Sequence, residues 1–592
     1  MRNVLLVALL APIVALAAAN LQPVTTIDVE QQVPYSENVS RVDGNGGPGG
    51  EPRALIGVVD TIGGTTYDWQ ANGPSYRMLV HSADLGIHAL WMYSASDETT
   101  FPDRNMRYNF WDAGTGSWNW IDPDYMQSGV NVYTDRCGYG NLDADPATGV
   151  AMVTSHIGTP IHPDLARDMA PGAGIFEYAT GAGTMDGYLW PFISVDANSK
   201  THCHCIDDAS RNMVYYSNVE TWPTWASPVG VASPQPDPNF PNQNVAASKV
   251  SNKVCLTWEF SEGAPDPGFY RLSTDGGTSW ENPEELPWPS AYTGDTSTSY
   301  HITSLFPYYD MMDNLHIIAT VEPYVGGQGY IIPAQIWHWS PDQSPNWSHI
   351  HTAECAPENL GAAVGYNALY ACRATCGEDS EGNLFVAWEQ FDSANVEPGP
   401  PEVLRADIFA AGSGDGGMTW GDAVKLTEGG TGSHRFPSII DMAFDLGTDE
   451  EYIGILYEID LVAGFFVQSE NIATNNPIIF HAVPTSEIPI PGGIAEGGRL
   501  NGRIQMTATP NPFAHRASIS YSLPRATDVS VVVYDASGRP VRTLENSRRD
   551  AGRYTVSWDG RDASGSEVAA GIYFYTLTTD DSSLTDKLTV VR

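Results

Sequence analysis

Short apolar stretches that end in polar turns recur along most of this chain, and no long helical periodicity interrupts them. Residues 191–196 (PFISVD) and 436–441 (FPSIID) are two examples, in which an apolar run leads into an aspartate. Units of this kind begin near residues 76, 130, 188, 243, 301, 366 and 434. The pattern predicts an all-β fold of repeated antiparallel units between residues 53 and 485.

A hairpin motif, S-x-D-x-G-x-T-W, marks the repeats. Its two best copies consist of Ser273, Asp275, Gly277 and Trp280, and of Ser413, Asp415, Gly417, Thr419 and Trp420. The aspartate can accept hydrogen bonds from backbone N–H groups of the turn, and the glycine permits a positive φ. The tryptophan can bury a large ring against neighbouring strands. The motif therefore predicts a turn that closes on its own backbone and packs against the sheet.

A second repeat supports the same unit length. Residues 104–108 (RNMRY) are echoed 107 positions later by residues 211–215 (RNMVY), a spacing of two units of about 50 residues. Units of this size predict a β-propeller with six or seven blades, and the count favours seven. Six blades result if the second unit, which has no matching tryptophan, is an insertion.

The hairpin motif resembles the Asp-box (BNR) repeat of sialidase-like propellers. That resemblance implies that the box lies at the periphery, away from the ligand site, so Asp275 and Asp415 are expected to be structural rather than catalytic. Enzymes of that family use an arginine triad, a Tyr–Glu nucleophile pair and an aspartate acid/base. Residues 435–437 (RFP) resemble the element that carries the first arginine, but they fall in the last unit rather than the first. No Tyr–Glu pair can be assigned from the sequence.

Residues 503–592 carry a separate set of alternating strands, including 517–521, 529–534, 570–575 and 587–592. Together with the opening PNPF at 510–513, these motifs resemble the Ig-like domain of flagellar hook-capping proteins and the related sorting domains of type IX secretion. The resemblance implies a small Ig-like β-sandwich that guides export and surface attachment. The alternative is a plain spacer sandwich.

The N-terminal segment predicts export, and two other segments have the composition of linkers. A basic Arg2, an apolar run from Val4 to Leu16 and a small-residue cleavage pattern indicate a signal peptide at 1–19. Gly- and Pro-rich linkers are expected at 20–52 and 486–502. We therefore expect a secreted or outer cell-surface protein with no transmembrane segment.

The net charge of the chain makes some classes of binding partner unfavourable. The formal net charge is −42, yet the residues from Arg499 onward include 12 basic and 10 acidic side chains. An acidic body disfavours nucleic acid and anionic membranes as partners. Solubility is the favoured explanation of the excess of acidic residues. No cofactor is expected, although calcium binding remains the alternative for the acidic residues. Seven cysteines leave at least one unpaired within the chain, and their connectivity stays open.

Four arginines occupy comparable positions: Arg77, Arg136, Arg373 and Arg435 each lie near the start of a unit's first strand. First strands line the channel of a propeller, so these side chains are candidates for an anion pocket that binds a carboxylate or sulfate. The alternative is that each arginine pairs locally, as Arg136 could with Asp135. In residues 202–205 (HCHC), strand alternation separates the histidines from the cysteines, which favours packing over a metal site.

The leading hypothesis is a secreted or surface propeller that binds a glycan or another extracellular ligand, and an anionic ligand is one possibility. The C-terminal domain would engage the secretion and surface-attachment machinery. One alternative is a sialidase-like exo-glycosidase, and another is a structural or adhesive surface component. The sequence offers no H-E-x-x-H motif and no phosphate-binding glycine loop that would point to other chemistry.

Overall fold

In the computed structural model, the described residues form two compact units, one that ends at Pro491 and one that follows it. The structure describes residues 56–491 and 505–590 except for short gaps at 72–74, 83–84, 232–240, 261–267, 287–288, 290–298, 326–327, 354, 356–361, 366–367, 400–401, 449, 510–516, 524–526, 537, 550–551, 559 and 580–582. The predicted signal peptide, the linker at 20–52 and residues 492–502 of the second linker lie outside the described residues.

The described residues of the first unit form seven antiparallel sheets, which we number in chain order from sheet 1. Sheet 1 contains β2 (Leu79–Ser82), β3 (Gly86–Tyr93), β4 (Asn105–Asp112), β5 (Ser117–Trp118) and the short β6 (Val130–Asn131). Sheet 2 contains β7 (Cys137–Ala144), β8 (Ala151–Ile157), β9 (His162–Asp168) and β10 (Phe176–Thr180). Sheet 3 contains β11 (Tyr188–Val195), β12 (Thr201–Asp207), β13 (Val214–Thr221), β14 (Thr224–Trp225) and β15 (Val229–Gly230).

Sheets 4 to 6 follow the same up-and-down order. Sheet 4 contains β16 (Pro241–Ala247), β17 (Val254–Phe260), β18 (Gly268–Ser273) and β19 (Glu284–Leu286). Sheet 5 contains β20 (Ser299–Tyr309), β21 (Leu315–Val325), β22 (Gln328–Gly329), β23 (Ala334–Trp339) and β24 (Trp347–Ala353). Sheet 6 contains β25 (Ala371–Glu378), β26 (Leu384–Glu397), β27 (Val403–Ser413) and β28 (Val424–Lys425).

Sheet 7 joins the two ends of the unit. It contains β29 (Ser433–Ile439), β30 (Phe444–Asp445), β31 (Glu451–Asp460) and β32 (Asn476–Pro484), and its outermost strand is the N-terminal β1 (Val58–Thr65). β1 pairs antiparallel with β32, so strands from opposite ends of the unit complete one sheet. Short 3-10 turns occur at Tyr125–Gln127, Phe466–Gln468 and Thr485–Glu487.

The first strands of successive sheets lie side by side from sheet 1 to sheet 7, and the seventh returns to the first. At the return, the backbone N–H of Met78 donates to the Ser438 hydroxyl at 2.9 Å. The N–H of His81 donates to the Asp441 carboxylate at 2.7 Å. This closed ring is a β-propeller, as the repeat predicted. Inner strands such as β3 are buried on both faces because each sheet packs between two others, which explains their nearly continuous apolar sequence.

The second unit is a two-sheet sandwich. One sheet contains β33 (Gln505–Thr509), β34 (Ala517–Leu523) and β37 (Gly552–Trp558). The other contains β35 (Thr527–Asp535), β36 (Pro540–Arg549), β38 (Gly571–Thr578) and β39 (Ser583–Val590). Burial alternates along β35 and β38, and the inward side chains, among them Trp558 and Tyr575, form a core of their own.

Candidate functional site

A bulge recurs in the first strands of four sheets and fixes which side chains meet at one end of the ring. Strand pairing shifts after Gly138, Leu189, Cys372 and Arg435 in β7, β11, β25 and β29. In each bulge a non-glycine residue takes a left-handed conformation, with φ between 49° and 57°; these residues are Tyr139, Trp190, Arg373 and Phe436. Such φ values are unfavourable for large side chains, so the surrounding ring must hold them.

Two of the four predicted arginines meet on one carboxylate. The Arg373 guanidinium donates to Glu389 at 2.5 Å, and Arg435 Nε donates to the same carboxylate at 3.3 Å. The backbone N–H of Phe436 donates to Glu389 at 2.7 Å. Burial alone would raise the pKa of Glu389, but Arg435 and Arg373 outweigh it and lower the pKa to about 2. We call Arg373, Glu389 and Arg435 the buried ion cluster.

The buried ion cluster is closed to solvent. Arg373, Glu389 and Arg435 are at most 2% exposed. Residues 66–71 and 463–468 are buried beside them, and Trp69 of the first segment stacks on Phe465 of the second at 5.3 Å. The Phe465 ring also lies 5.1 Å from the Arg435 guanidinium. In this arrangement the cluster organises the ring interior, and a ligand reaches it only if those segments move.

Further carboxyl groups near Arg435 have raised pKa values, and three of them are Asp68, Glu458 and Asp460. Burial raises the pKa of Asp68 to about 7. Burial and the Asp68 charge raise the pKa of Glu458 well above its ordinary value, and that of Asp460 rises for the same reasons. One oxygen of each of the three is buried without a hydrogen-bond partner among the described residues. Protonation is the form that this environment favours.

A second group of cations lies at the same end of the ring, around His156 of β8. Burial lowers the pKa of His156 well below its ordinary value, and charge repulsion from Arg104, Arg136 and Arg211 lowers it further. We call these four residues the arginine cluster. His156 is 6% exposed, and its Nδ1 has no hydrogen-bond partner in the described part of the chain.

Tyrosine rings and backbone oxygens position the arginine cluster. The Arg104 guanidinium donates to the Cys137 carbonyl at 2.9 Å and to the Tyr67 hydroxyl at 3.1 Å. It also lies 5.4 Å from the Tyr139 ring centroid, and that ring packs on His156 at 5.7 Å. Arg136 is exposed and donates to the carbonyl of Phe101 at 3.0 Å. The cluster therefore combines a rigid interior with a side chain that solvent reaches.

The repeated RNM segment is a sequence signal for the arginine cluster. The search for arginines at the starts of first strands does not find it. Arg104 and Arg211 are the first residues of the two echoed RNM segments, and both add positive charge at His156. The Arg211 guanidinium also pairs with Asp208 at 3.0 Å and lies 5.5 Å from the Trp190 ring centroid. Of the four predicted arginines, Arg136 belongs to this cluster. The backbone carbonyl of the neighbouring Asp135 accepts a hydrogen bond from Asn105 at 3.2 Å, and Asp135 is exposed.

The fourth predicted arginine, Arg77, lines a separate cavity. A cavity of about 370 Å³ lies among the carboxyl ends of first strands from six sheets. Its lining includes Arg77, His81, Asp143, Ser194, Lys249, Tyr308 and Asp441. The structure thus divides the four predicted arginines among three locations, which are the buried ion cluster, the arginine cluster and this cavity.

The two best hairpin motifs form the predicted turns. Asp275 Oδ1 accepts from the Ser279 N–H at 2.8 Å, and Asp415 Oδ1 accepts from the Thr419 N–H at 2.9 Å. The hydroxyls of Ser273 and Ser413 accept from the N–H groups of Gly277 and Gly417 at 2.8 and 2.9 Å. Both turns connect the third strand of a sheet to its outermost strand. The Ser279 hydrogen bonds lower the pKa of Asp275 to about 2.

The two tryptophans of these motifs pack on the neighbouring sheet. Trp280 meets Tyr216 of sheet 3 at 4.8 Å, and Trp420 meets His338 of sheet 5 at 5.7 Å. Each motif therefore closes its own turn and joins its sheet to the preceding one.

The HCHC strand has other partners. His202 hydrogen-bonds with the Tyr216 hydroxyl at 2.8 Å and with Asp196 at 3.2 Å, and His204 hydrogen-bonds with the Asn244 carbonyl at 2.9 Å. All seven cysteines are free thiols, and Cys203 and Cys205 are buried. Within the described ranges, no group of three His, Cys, Asp or Glu side chains is arranged to hold a metal ion.

Comparison with known proteins identifies one domain. The FlgD Ig-like domain family matches residues 513–583. The C-terminal unit is Ig-like. Its strand order agrees with that match, since two antiparallel sheets pack around one core. No curated protein matches the chain. Among the described residues, the structure contains no helix with the length and apolar character needed to cross a membrane.

Solved structures resemble the chain only distantly. An ulvan lyase, described as a new family of polysaccharide lyase, shares 12% identity at a TM-score of 0.43, covering 73% of this chain and 94% of its own. The α-L-arabinanase of Penicillium chrysogenum shares 10% identity at 0.35, covering 63% and 96%. The intramolecular trans-sialidase of Ruminococcus gnavus shares 10% at 0.34, covering 72% and 98%.

Proposed function

We propose that this protein is a secreted or cell-surface, seven-bladed β-propeller that binds an acidic extracellular glycan at the arginine cluster. The observation that carries the proposal is the positive charge that Arg104, Arg136 and Arg211 place near His156 in a chain of net charge −42, where Arg211 is partly offset by its 3.0 Å ion pair with Asp208. Such a chain repels anions in general, so an anionic ligand needs local attraction. Guanidinium groups supply it because they bind carboxylate and sulfate through paired hydrogen bonds.

The buried histidine gives the proposal a direct readout. Its pKa is low partly because three positive charges oppose a fourth. An anionic sugar group placed among the guanidiniums offsets that repulsion, so binding should raise the pKa of His156. A neutral glycan would leave the repulsion unchanged and should not move the pKa.

The experiment combines a glycan array with single-site variants. Acidic glycans should bind saturably, and Arg136→Ala should weaken that binding about 10- to 100-fold because a charge-assisted hydrogen bond is lost. Arg167→Ala is the matched control, since Arg167 is a partly exposed arginine of the same sheet that pairs with Glu177. Equal loss in both variants, or no acidic glycan bound, would contradict the proposal. Absence of any saturable ligand would favour the structural or adhesive alternative.

The proposal also states that the propeller has seven blades and that its hairpin motifs are Asp-box turns. Each of the seven sheets would be one blade, including sheet 2, which corresponds to the unit that has no motif tryptophan. The hydrogen bonds of Asp275 and Asp415 support an Asp-box assignment because they join the aspartate to the turn's own backbone. Their position beside outermost strands supports a structural role away from the glycan.

Delivery by the C-terminal unit is the other part of the proposal. The Ig-like match and the separate core around Trp558 support an independent domain, as attachment to secretion machinery would require. A surface location supplies the glycans that the propeller would bind. Localisation of chains with and without this unit in the native host tests the role.

The exo-glycosidase alternative has one observation in its favour. The Tyr308 hydroxyl donates to Glu378 at 3.1 Å, a Tyr–Glu pair beside the cavity that Arg77 lines. However, the same hydroxyl also lies 2.7 Å from the Asp441 carbonyl, and burial raises the pKa of Tyr308 well above its ordinary value. A nucleophile needs the opposite shift. Turnover of fluorogenic glycosides, including a sialoside, that disappears in Tyr308→Phe would nevertheless establish the alternative.

A further inference from the structure

The cavity at the carboxyl ends of the first strands lies apart from the arginine cluster, whose Arg136 directly precedes the start of β7. Its lining comes from the last residues of β7, such as Asp143, and from the residues after β16 and β29, Lys249 and Asp441. At about 370 Å³ it falls in the size range of small-molecule sites.

Most charged groups in this cavity already have partners. Lys249 Nζ donates to the Asp143 carboxylate at 2.7 Å and to two backbone carbonyls, at 2.9 and 3.2 Å. Asp143 also accepts from the Ser194 hydroxyl at 3.0 Å and from the Val195 N–H at 2.7 Å. Burial raises the pKa of Asp143, but Lys249 and Arg77 outweigh it and the pKa falls below its ordinary value. Lys249 and Asp143 therefore form a satisfied structural pair.

Arg77 differs from that pair. Its side chain is 9% exposed, and its ion pair with Asp143 is 3.7 Å long, beyond hydrogen-bonding distance. The guanidinium makes no hydrogen bond with any described residue, although its own backbone carbonyl accepts from Leu142. The guanidinium lies 5.5 Å from the Phe306 ring centroid and lines the cavity, where its planar group can present paired N–H donors to a ligand. An oxyanion is the ligand group that such donors bind.

Asp441 supplies a hydrogen-bond acceptor in the lining of the same cavity. One of its carboxylate oxygens accepts from the His81 N–H at 2.7 Å, and the other receives no hydrogen bond from the described residues. Hydroxyl groups are donors that a carboxylate can bind. A ligand that satisfies both Arg77 and Asp441 therefore carries a carboxylate and a hydroxyl together.

We propose that this cavity is a second ligand site, which binds a small hydroxycarboxylate of sugar-acid size through Arg77 and Asp441. A monoanion suits it because Asp143 holds the Arg77 guanidinium less closely, at 3.7 Å, than it holds the Lys249 ammonium, at 2.7 Å. A dianion would bring excess negative charge beside Asp143 and Asp441. The site is independent of the acidic-glycan site at the arginine cluster.

Calorimetry with three probes and the full chain tests this site. D-glucuronate should bind saturably to the wild-type protein, whereas D-glucose, which lacks the carboxylate, and sulfate, which lacks the hydroxyls, should bind at least about tenfold more weakly. Arg77→Gln should lose D-glucuronate binding. Asp441→Asn should weaken D-glucuronate binding and leave the weak response to sulfate unchanged.

Two controls separate this site from the proposed glycan site and from misfolding. Arg136→Ala should bind D-glucuronate like the wild type, because Arg136 lies in the arginine cluster. Arg77→Lys keeps the charge but loses the paired donors, and it should retain the melting temperature while binding weakly. No saturable binding of D-glucuronate, binding that survives in Arg77→Gln, or binding lost in Arg136→Ala would each overturn the proposal.

Discussion

The carboxylate of Asp68 accepts a hydrogen bond from the backbone N–H of Phe466, which lies 398 positions later in the chain, at 2.5 Å. The contact joins the segment after β1 to the turn between β31 and β32, and both segments cover the buried ion cluster. Asp68 is 4% exposed, and burial raises its pKa to about 7. This part of the ring interior should therefore respond to pH.

We expect Asp68→Asn to reduce the loss of stability that the wild type shows between pH 5 and pH 8. The folded-state pKa of about 7 exceeds the ordinary 3.8, so the stabilising contribution is complete below pH 3.8 and is lost as pH rises through 7. A tenfold difference in proton affinity between the folded and unfolded states corresponds to about 1.4 kcal/mol of unfolding free energy. Urea denaturation at both pH values measures the slope.

Glu285→Gln, at an exposed position, is the control. It should leave the change in unfolding free energy between pH 5 and pH 8 as it is in the wild type. The pKa values of Glu458 and Asp460 are raised in the same direction, so the variant should keep part of the slope. A wild-type protein that gains stability from pH 5 to pH 8 would contradict this expectation.

Glu389→Gln should destabilise the propeller by about 3–5 kcal/mol at pH 7, because two buried guanidinium groups lose their shared counter-charge. In the wild type, the folded pKa of about 2 lies below the ordinary 4.5, so the contribution is present above pH 4.5 and is lost as pH falls towards 2. Chemical denaturation of both proteins measures the difference.

The comparison variant is Glu177→Gln, which removes an ion pair whose carboxylate is 42% exposed. Its cost should stay below about 1 kcal/mol. Similar costs for the two variants would mean that the buried ion cluster is not a main determinant of stability.

Asp415→Ala should destabilise the propeller by about 1–2 kcal/mol without changing glycan binding. The substitution removes hydrogen bonds from the Thr419 N–H at 2.9 Å and the Thr419 hydroxyl at 2.6 Å. The exposed Asp422→Ala is the control, and its melting temperature should match the wild type. If Asp415→Ala abolished ligand binding while the fold persisted, the motif would have a functional role that we do not assign to it.

A chain ending at Pro491 should remain soluble, melt cooperatively and bind the same glycans. The two units have separate cores, and the residues before Pro491 form their own contact-dense body. In the native host the truncated chain should fail to reach the cell surface. Normal surface display would contradict the sorting role, and loss of cooperative melting would make the C-terminal unit part of the propeller's folding.

Repetition in the sequence was sufficient for the fold class, because strand alternation and turn residues are local properties. The unit starts predicted near 188, 243, 301 and 434 lie within a few residues of β11, β16, β20 and β29. The Asp275 and Asp415 turns could also be predicted, since every partner of the aspartate lies within four positions of it. The Ig-like unit could be recognised because its motifs occur in a fixed order.

Tertiary structure alone decided where the arginines go. Arg77, Arg136, Arg373 and Arg435 occupy similar places in their strands, yet bulges in β25 and β29 turn two of them towards Glu389. The closed ring brings Asp68 to Phe466, a pair that no local pattern connects. Strand periodicity specifies which face a side chain takes, but contacts across a ring depend on how all of the sheets pack, and only the folded chain contains that information.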